Sequence, residues 1–403
     1  VALVTARATG RRAAVAWLAI AVALVAAGAV AWSARSGHEA RGRPETGTAA
    51  LRATPATLKR VFAAAPDGAT ILLAPGDYGS FTAGVKRSPV TIRPAPGASA
   101  RMSLAFSDAA NVRLEGLRIA GADIGGRSRD VTIARSTFTD QVVIRAEQMS
   151  AAGIVLDGNR LAHIDACAKC YEGRVQILGD SGRPSGIVIA NNVFGPGGAS
   201  DGIQDGGNGV RIVGNTFVGI VARPGGRHID ALQLYGQRNT VIRGNYFRDV
   251  PTAIMAPDGA DHELIEHNVF DTGSYPYAIM LGGDDGSVIR RNTLADLGGC
   301  AYDLPCGTLL IADGPSHRAG RGTVVQDNIL GALSVGGAST LGRDDGNLVA
   351  GGGGGAGDRT GSPSFAGGAH PTSRSGFRLA GGSPGSKAAS YGADVGIAHR
   401  AGR

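Results

Sequence analysis

Two short phrases in the middle of the chain, Asp201-Gly202-Ile203-Gln204 and Asp230-Ala231-Leu232-Gln233, repeat an acid and an amide at the same spacing. His228 stands two residues before the second acid, and Arg223 and Arg227 share its connection. Two carboxylates brought together repel unless a cation binds, one is protonated or water screens both. With a cation, Asp201, Asp205 and Asp230 would be hard oxygen ligands for Ca²⁺, which could also hold a substrate carboxylate. A separation of about 5 Å would instead suit the acid and nucleophile of a retaining glycosidase. The plain alternative is a solvated aspartate ladder at a corner of the fold, but a ladder does not need the histidine and arginines crowded beside it. Further along, Asp258, Asp261 and His262 follow the apolar run ending at Met255, and Asp284 and Asp285 follow the run ending at Met280. Taken singly, these are turn residues by type. Together they would extend an acidic, His-bearing groove, in which Gln204, Gln233, Arg223, Asp258 and His262 contact an extended substrate.

The elements that must position these residues show in a repeated pattern. A β-branched run, then Asn, then an apolar or aromatic residue two places on recurs at Ile187-Val188-Ile189 with Asn192 and Phe194, Val210 with Asn215 and Phe217, Val241-Ile242 with Asn245 and Phe247, and Leu264-Ile265 with Asn268 and Phe270. Weaker copies flank these at Val131-Thr132-Ile133 with Phe138, Ile154 with Asn159, Val288-Ile289 with Asn292 and Val324-Val325 with Asn328. Copies follow one another every roughly 20 to 36 residues, the spacing of a solenoid. No unit of that size buries a core alone, so the copies must stack. The Asn column belongs at the bend after each strand, where Asn tolerates the geometry and its amide can bond the same amide in the next coil. A second strand per coil aligns on Val175-Gln176-Ile177, Gly202-Ile203-Gln204, Ala231-Leu232-Gln233, Ala253-Ile254-Met255, Ala278-Ile279-Met280 and Thr308-Leu309-Leu310. In this alignment Asp201 and Asp230 are equivalent, about 4.8 Å apart by the strand spacing. His163-Ile164-Asp165 repeats the local phrase around His228 in a different register, which makes coincidence as good a reading as homology of position.

Sixty-five glycines and 5% aromatic residues fit many short strands and tight turns, and no Gly-X-Y period points to collagen. The formal charge of +7 favours anionic partners, but no aromatic-plus-basic motif supports nucleic acid. Arg7, Arg11 and Arg12 precede an uncharged run from Ala13 to Trp32. That run reads as an export signal or a membrane anchor over residues 1–32, with Ala29-Val30-Ala31 as a cleavage site, so the rest lies outside the cell, secreted or anchored. Residues 33–52 form a linker, 53–350 the solenoid, and 351–403 a Gly-rich linker with a closing segment. A short amphipathic helix, capped by Thr54 with Pro55 first and Leu58, Val61 and Phe62 on its apolar face, is expected to cover the open end. Cys167 with Cys170 and Cys300 with Cys306 read as two local disulfides, in preference to one four-cysteine zinc site.

The stretch Pro66 to Tyr78, reading Pro-Asp-Gly-Ala-Thr-Ile-Leu-Leu-Ala-Pro-Gly-Asp-Tyr, resembles the entry into chondroitinase-B-like and pectate-lyase-like proteins. The C-terminal landmarks Pro363, Phe365, Phe377-Arg378-Leu379, Ser383-Pro384 and Asp394-Val395-Gly396 are similar to the closing segment of secreted members of that superfamily. The resemblance implies an all-β, right-handed parallel β-helix that acts on an extracellular anionic polysaccharide as a monomer. It also implies elimination from a uronate polymer, with Ca²⁺ as a possible assistant; that chemistry needs a base and a cation for the substrate carboxylate, and in this sequence His228 would be the base and Arg227 or Arg223 the neutraliser, with Arg174 and Lys169 as other cations. Hydrolysis through Asp201 and Asp230 is the second reading, and non-catalytic glycan binding the third. The Asn-Thr-Asp, Gly-His-Gly and Arg-Ile-Lys phrases of polygalacturonase-like hydrolases are absent from the sequence, as is the Asp-Pro-His-Asp of mannuronan epimerases.

Overall fold

The computed structural model describes residues 50–148, 153–165, 173–179, 185–222, 228–273, 277–295, 300, 305–352 and 354–397. The candidate export segment, Cys167, Lys169, Cys170, Arg223 and Arg227 lie outside the described residues. The described chain winds as a right-handed parallel β-helix. One face is a thirteen-stranded parallel sheet that takes a strand from each coil, among them Val188–Ala190, Arg211–Val213, Val241–Arg243 and Leu264–Glu266. Two further strand series make the rest of the wall. One is short and follows each asparagine, as in Val193–Phe194, Thr216–Val218 and Tyr246–Arg248. The other carries Gly173–Leu178, Asp201–Asp205, Asp230–Leu234, Thr252–Ala256 and Tyr277–Gly282 in successive coils.

The interior follows from period-two alternation: Ile189, Ile212, Ile242, Ile265 and Ile289 stack in register and are fully buried. Phe194, Phe217, Phe247 and Phe270 form a second stack, with ring centroids 4.6–4.8 Å apart and rings nearly parallel. The coil spacing imposes that geometry, since side chains one coil apart have no other offset available. The Asn column is a hydrogen-bonded ladder from Asn159 through Asn192, Asn215, Asn245, Asn268, Asn292 and Asn328 to Asn347. Each amide also bonds backbone: Asn245 Nδ2 donates to the Ile212 carbonyl at 2.9 Å, and its Oδ1 accepts the Asn215 N–H at 2.8 Å. In the Phe138 coil, which has no Asn, Ser136 fills the place and its N–H donates to Asn159 Oδ1 at 2.9 Å.

At the N-terminal end the helix spans Leu58–Ala64, three residues later than the Thr54 cap predicts. Thr54 and Pro55 belong instead to a turn in which Thr57 and Leu58 N–H donate to the Thr54 carbonyl, and Thr57 takes the cap position. Strand Leu51–Ala53 pairs with Thr70–Leu73 before the helix begins, so backbone pairing decides where it starts. Leu58 and Phe62 are buried, and Phe62 meets Phe81 edge-on at 5.5 Å. At the other end the closing segment packs on the outside of the short-strand series, where Phe365, Phe377, Leu379, Val395 and Ile397 make a second core with Tyr246, Val269, Ile329 and Leu348. Cys300 and Cys306 are joined in a disulfide.

Candidate functional site

The second strand series sets the site. Ile203 pairs with Leu232 and Gln204 with Gln233, which places Asp201 beside Asp230 in adjacent coils, as the repeated phrase predicts. The strand before departs from the sequence alignment by one residue: Val175 pairs with Ile203 and Gln176 with Gln204. The slip has a physical cause, because Gln176 is polar enough to face outward and Arg174 takes the place opposite Gly202. Gln176 therefore joins the amide column, a member that sequence reasoning missed, and its Nε2 donates to Gln204 Oε1 at 3.2 Å. Local backbone form depends on two glycines. A Cβ on Gly202 would lie 2.8 Å from the Phe217 ring, so this position faces the core, and Ala231, Ala253 and Ala278 follow in its column. A Cβ on Gly173 would come within 3.1 Å of Gln204 Cγ, so its absence leaves room for that amide.

Asp201 and Asp230 are joined through the backbone: the Asp230 N–H donates to Asp201 Oδ1 at 2.9 Å, and Gln204 Nε2 donates to Asp201 Oδ2 at 3.0 Å. Asp230 Oδ2 lies 2.7 Å from His228 Nδ1. The two carboxylates are 4% and 0% exposed, whereas the His228 side chain is 59% exposed. Burial first, and then the charge of Asp230, push Asp201 up to about 7. The bond to Asp230 raises the His228 pKa above its usual 6.5, with burial opposing it and the charges of Asp230 and Asp201 adding to it. Water does not screen so buried a pair. The raised pKa of Asp201 and the imidazole bonded to Asp230 both lessen the repulsion between the two acids.

Several predicted residues are placed elsewhere. Asp205 does not join the pair: it is fully buried, with Oδ1 accepting the Gly207 N–H at 2.8 Å and Oδ2 the Thr240 hydroxyl at 2.9 Å. Its parity with Ile203 turns it into the core, and burial raises its pKa to about 6. The expected three-aspartate Ca²⁺ site is therefore not assembled, and among the described residues no group of three or more His, Cys, Asp or Glu is arranged to hold a metal. Of the pair, Asp230 Oδ1 alone has no hydrogen-bond partner, and it is buried, which does not fit a hard cation that takes six to eight oxygens. Asp258 and His262 follow the C-terminal end of strand Thr252–Ala256, a strand length away from the end that carries the Asp pair. There Asp261, beside His262, is paired with Arg318 at 2.6 Å and Arg238 at 3.4 Å. Asp284 is buried against Ser287 and Thr323. Arg174 is fully buried, and its Nη2 donates to the carbonyls of Gly197 and Gly198 at 2.7 and 3.0 Å, so it supports the turn before Asp201 and does not face a groove. His163 to Asp165 sits on the same side but as a turn contact, with Asp165 accepting the Ala199 N–H at 2.5 Å.

The fold defines the chain as a right-handed parallel β-helix protein. Among solved structures it is similar to a mutant form of the PL6-family alginate lyase AlyGC, with a TM-score of 0.52 at 14% identity, covering 87% of this chain and 58% of that one. It is also similar to alginate lyase AlyF-OU02 in complex with G6, with a TM-score of 0.50 at 15% identity, covering 75% of this chain and 78% of that one. The chain thus spans less than two thirds of the first of these lyases. No protein-family model matches the sequence, and no curated protein does.

Proposed function

We propose that the protein is an extracellular polysaccharide lyase that cleaves a uronate-containing polymer by β-elimination. The observation that carries this reading is the His228–Asp230 pair: one exposed imidazole held by one buried carboxylate, on a wall of the β-helix. Ionised Asp230 can only accept, so Nδ1 carries the proton in that bond and Nε2 is the nitrogen that takes one from substrate. His228 removes the proton α to the uronate carboxyl group, the electron pair forms the ring double bond, and the bond to the leaving glycosidic oxygen breaks. The leaving oxygen gains a proton from water. Asp230 holds the ring and stabilises the imidazolium. Arg227 and Arg223, in the same connection, are the proposed neutralisers of the substrate carboxylate.

Hydrolysis is less well supported. Its acid and nucleophile must reach the sugar from either side. Asp201 and Asp230 are instead buried, and each spends oxygens on its own scaffold. The test is incubation with uronate polymers while following the ultraviolet absorbance of the unsaturated product. Absorbance that disappears in His228→Ala is expected. New reducing ends without absorbance would replace elimination by hydrolysis, and neither signal would leave a glycan-binding protein.

A further inference from the structure

On the N-terminal coils lies an open cleft of about 550 Å³, lined by Gly76, Asp77, Ser99, Arg101, Arg118 and Thr139. The register of the parallel strands sets its chemistry. Asp77 pairs with Arg101, Arg101 with Arg118, Arg118 with Thr137 and Thr137 with Arg160, so these residues form one column, and every member is exposed. Successive members stand about 4.8 Å apart. Three guanidinium groups thus share a column with one carboxylate. Asp77, in the coil before Arg101, engages it at 3.1 Å, while Arg118 stands in the coil after it. Like charges side by side in a sheet repel. An anion held between Arg101 and Arg118 removes that repulsion, and the hydroxyls of Ser99 and Thr139 line the same cleft as further donors.

The cleft also shares an edge of the rod with His228. Val142, Val175, Ile203 and Leu232 are in register. Thr139 stands three residues before Val142, as Ile229 stands three before Leu232. The Thr139 side of the cleft therefore opens at the corner of the coil where His228 is placed, three coils or about 14 Å earlier, and Arg160 lies in a coil between them. We propose that this cleft is a distal subsite for a carboxylate of the uronate polymer, held between Arg101 and Arg118, with the polymer laid along that edge past Arg160 toward His228. A guanidinium presents a planar fork of N–H donors that matches a carboxylate bidentately. The inference rests on the elimination reading for the identity of the polymer and adds a second anchor and a direction along the rod.

The experiment is calorimetric titration of the full chain with hexamers of galacturonate and of guluronate, at low and at physiological salt. At least one hexamer is expected to bind, and more weakly at the higher salt. Arg118→Ala is expected to weaken it about tenfold or more, the loss of one charge-assisted pair, and Arg118→Lys by less, because an ammonium keeps the charge without the fork. Arg160→Ala, on the path between the two sites, is expected to weaken it about twofold to fivefold, as for an exposed pair. Arg93→Ala removes an exposed arginine from the thirteen-stranded sheet and controls for net charge, with an expected change below about twofold. Melting curves of the variants check that they fold. Binding of neither hexamer overturns the subsite, as does binding that Arg118→Ala leaves unchanged or that Arg93→Ala weakens as much. Unchanged binding in Arg160→Ala overturns the path along the edge. The readout needs no turnover. Arg118-dependent binding without any unsaturated product would keep the subsite and remove the lyase, and unsaturated product with Arg118-independent binding would do the reverse.

Discussion

At the scale of single residues, the corner works through one proton per partner. His228 is a base only when neutral, and its bond to Asp230 raises its pKa above 6.5. Activity is therefore expected to fall as pH drops through that raised value and to level off above it, measured as kcat/KM on a uronate polymer. The charge of Asp201 contributes to the shift, so Asp201→Asn is expected to move the rising limb to lower pH; a midpoint that stays in place would show the two groups uncoupled. Asp230→Asn keeps the shape but can present an N–H to Nδ1, which selects the wrong tautomer. The expected loss in kcat is roughly 10²–10⁴-fold with the melting temperature little changed. Unaltered turnover in that variant would remove His228 from the base role. The phrase Asp-x-x-Gln was legible because it repeats. That Asp205 belongs to the core and not to the pair was not legible, since Asp201 and Asp205 have the same parity in one five-residue strand and it is the inward turn at Gly202 that breaks the alternation between them.

At the scale of elements, the Asn ladder and the Phe stack fix the register on which the site depends. The Asn245 side chain exchanges four hydrogen bonds with Asn215, Asn268 and the Ile212 carbonyl. Asn245→Ala removes these and leaves the buried Asn215 N–H unmet, at a cost of roughly 2–5 kcal/mol in urea unfolding. Asn245→Asp would be no substitute, because a carboxylate cannot donate to Asn268 Oδ1. A loss below about 0.5 kcal/mol in either variant would show that the ladder is a consequence of stacking and does not hold it. These columns were readable from spacing alone, because a repeat with one asparagine per turn offers one way to align coils. The one-residue slip at Val175 was not readable. Val175, Gln176 and Ile177 fit either register by hydropathy, and the choice is made by the space that Gly173 and Gly202 leave to their neighbours.

For the whole molecule, acids inside the rod set the response to pH. Glu263 is 1% exposed, neither of its carboxylate oxygens has a hydrogen-bond partner, and burial followed by the charges of Asp205 and Asp284 raises its pKa well above 4.5. Asp201, Asp205 and Asp284 are raised as well, each chiefly by burial. A group with a raised folded pKa stabilises fully below its unfolded value and loses that contribution as pH rises through the folded one. Glu115 and Glu266 are lowered by arginine partners that outweigh burial, so their contribution is lost as pH falls below about 4.5. The melting temperature is accordingly expected to peak near pH 5 and to fall by several degrees toward pH 8, and Glu263→Gln should flatten that decline. A melting temperature that rises steadily from pH 5 to 8 would contradict the assignment of these acids as neutral in the fold.

The sequence by itself determined the solenoid, the length of its coils, the Asn and Phe columns and the pairing of Asp201 with Asp230, because each is a periodic feature and stacking turns period into proximity. Tertiary structure alone decided which polar side chains face in, which end of a strand a residue occupies, and what covers it. Those choices depend on local bends such as the inward turn at Gly202 and on packing between coils distant in sequence. They are why Asp205, Asp258 and His262 stand away from the corner.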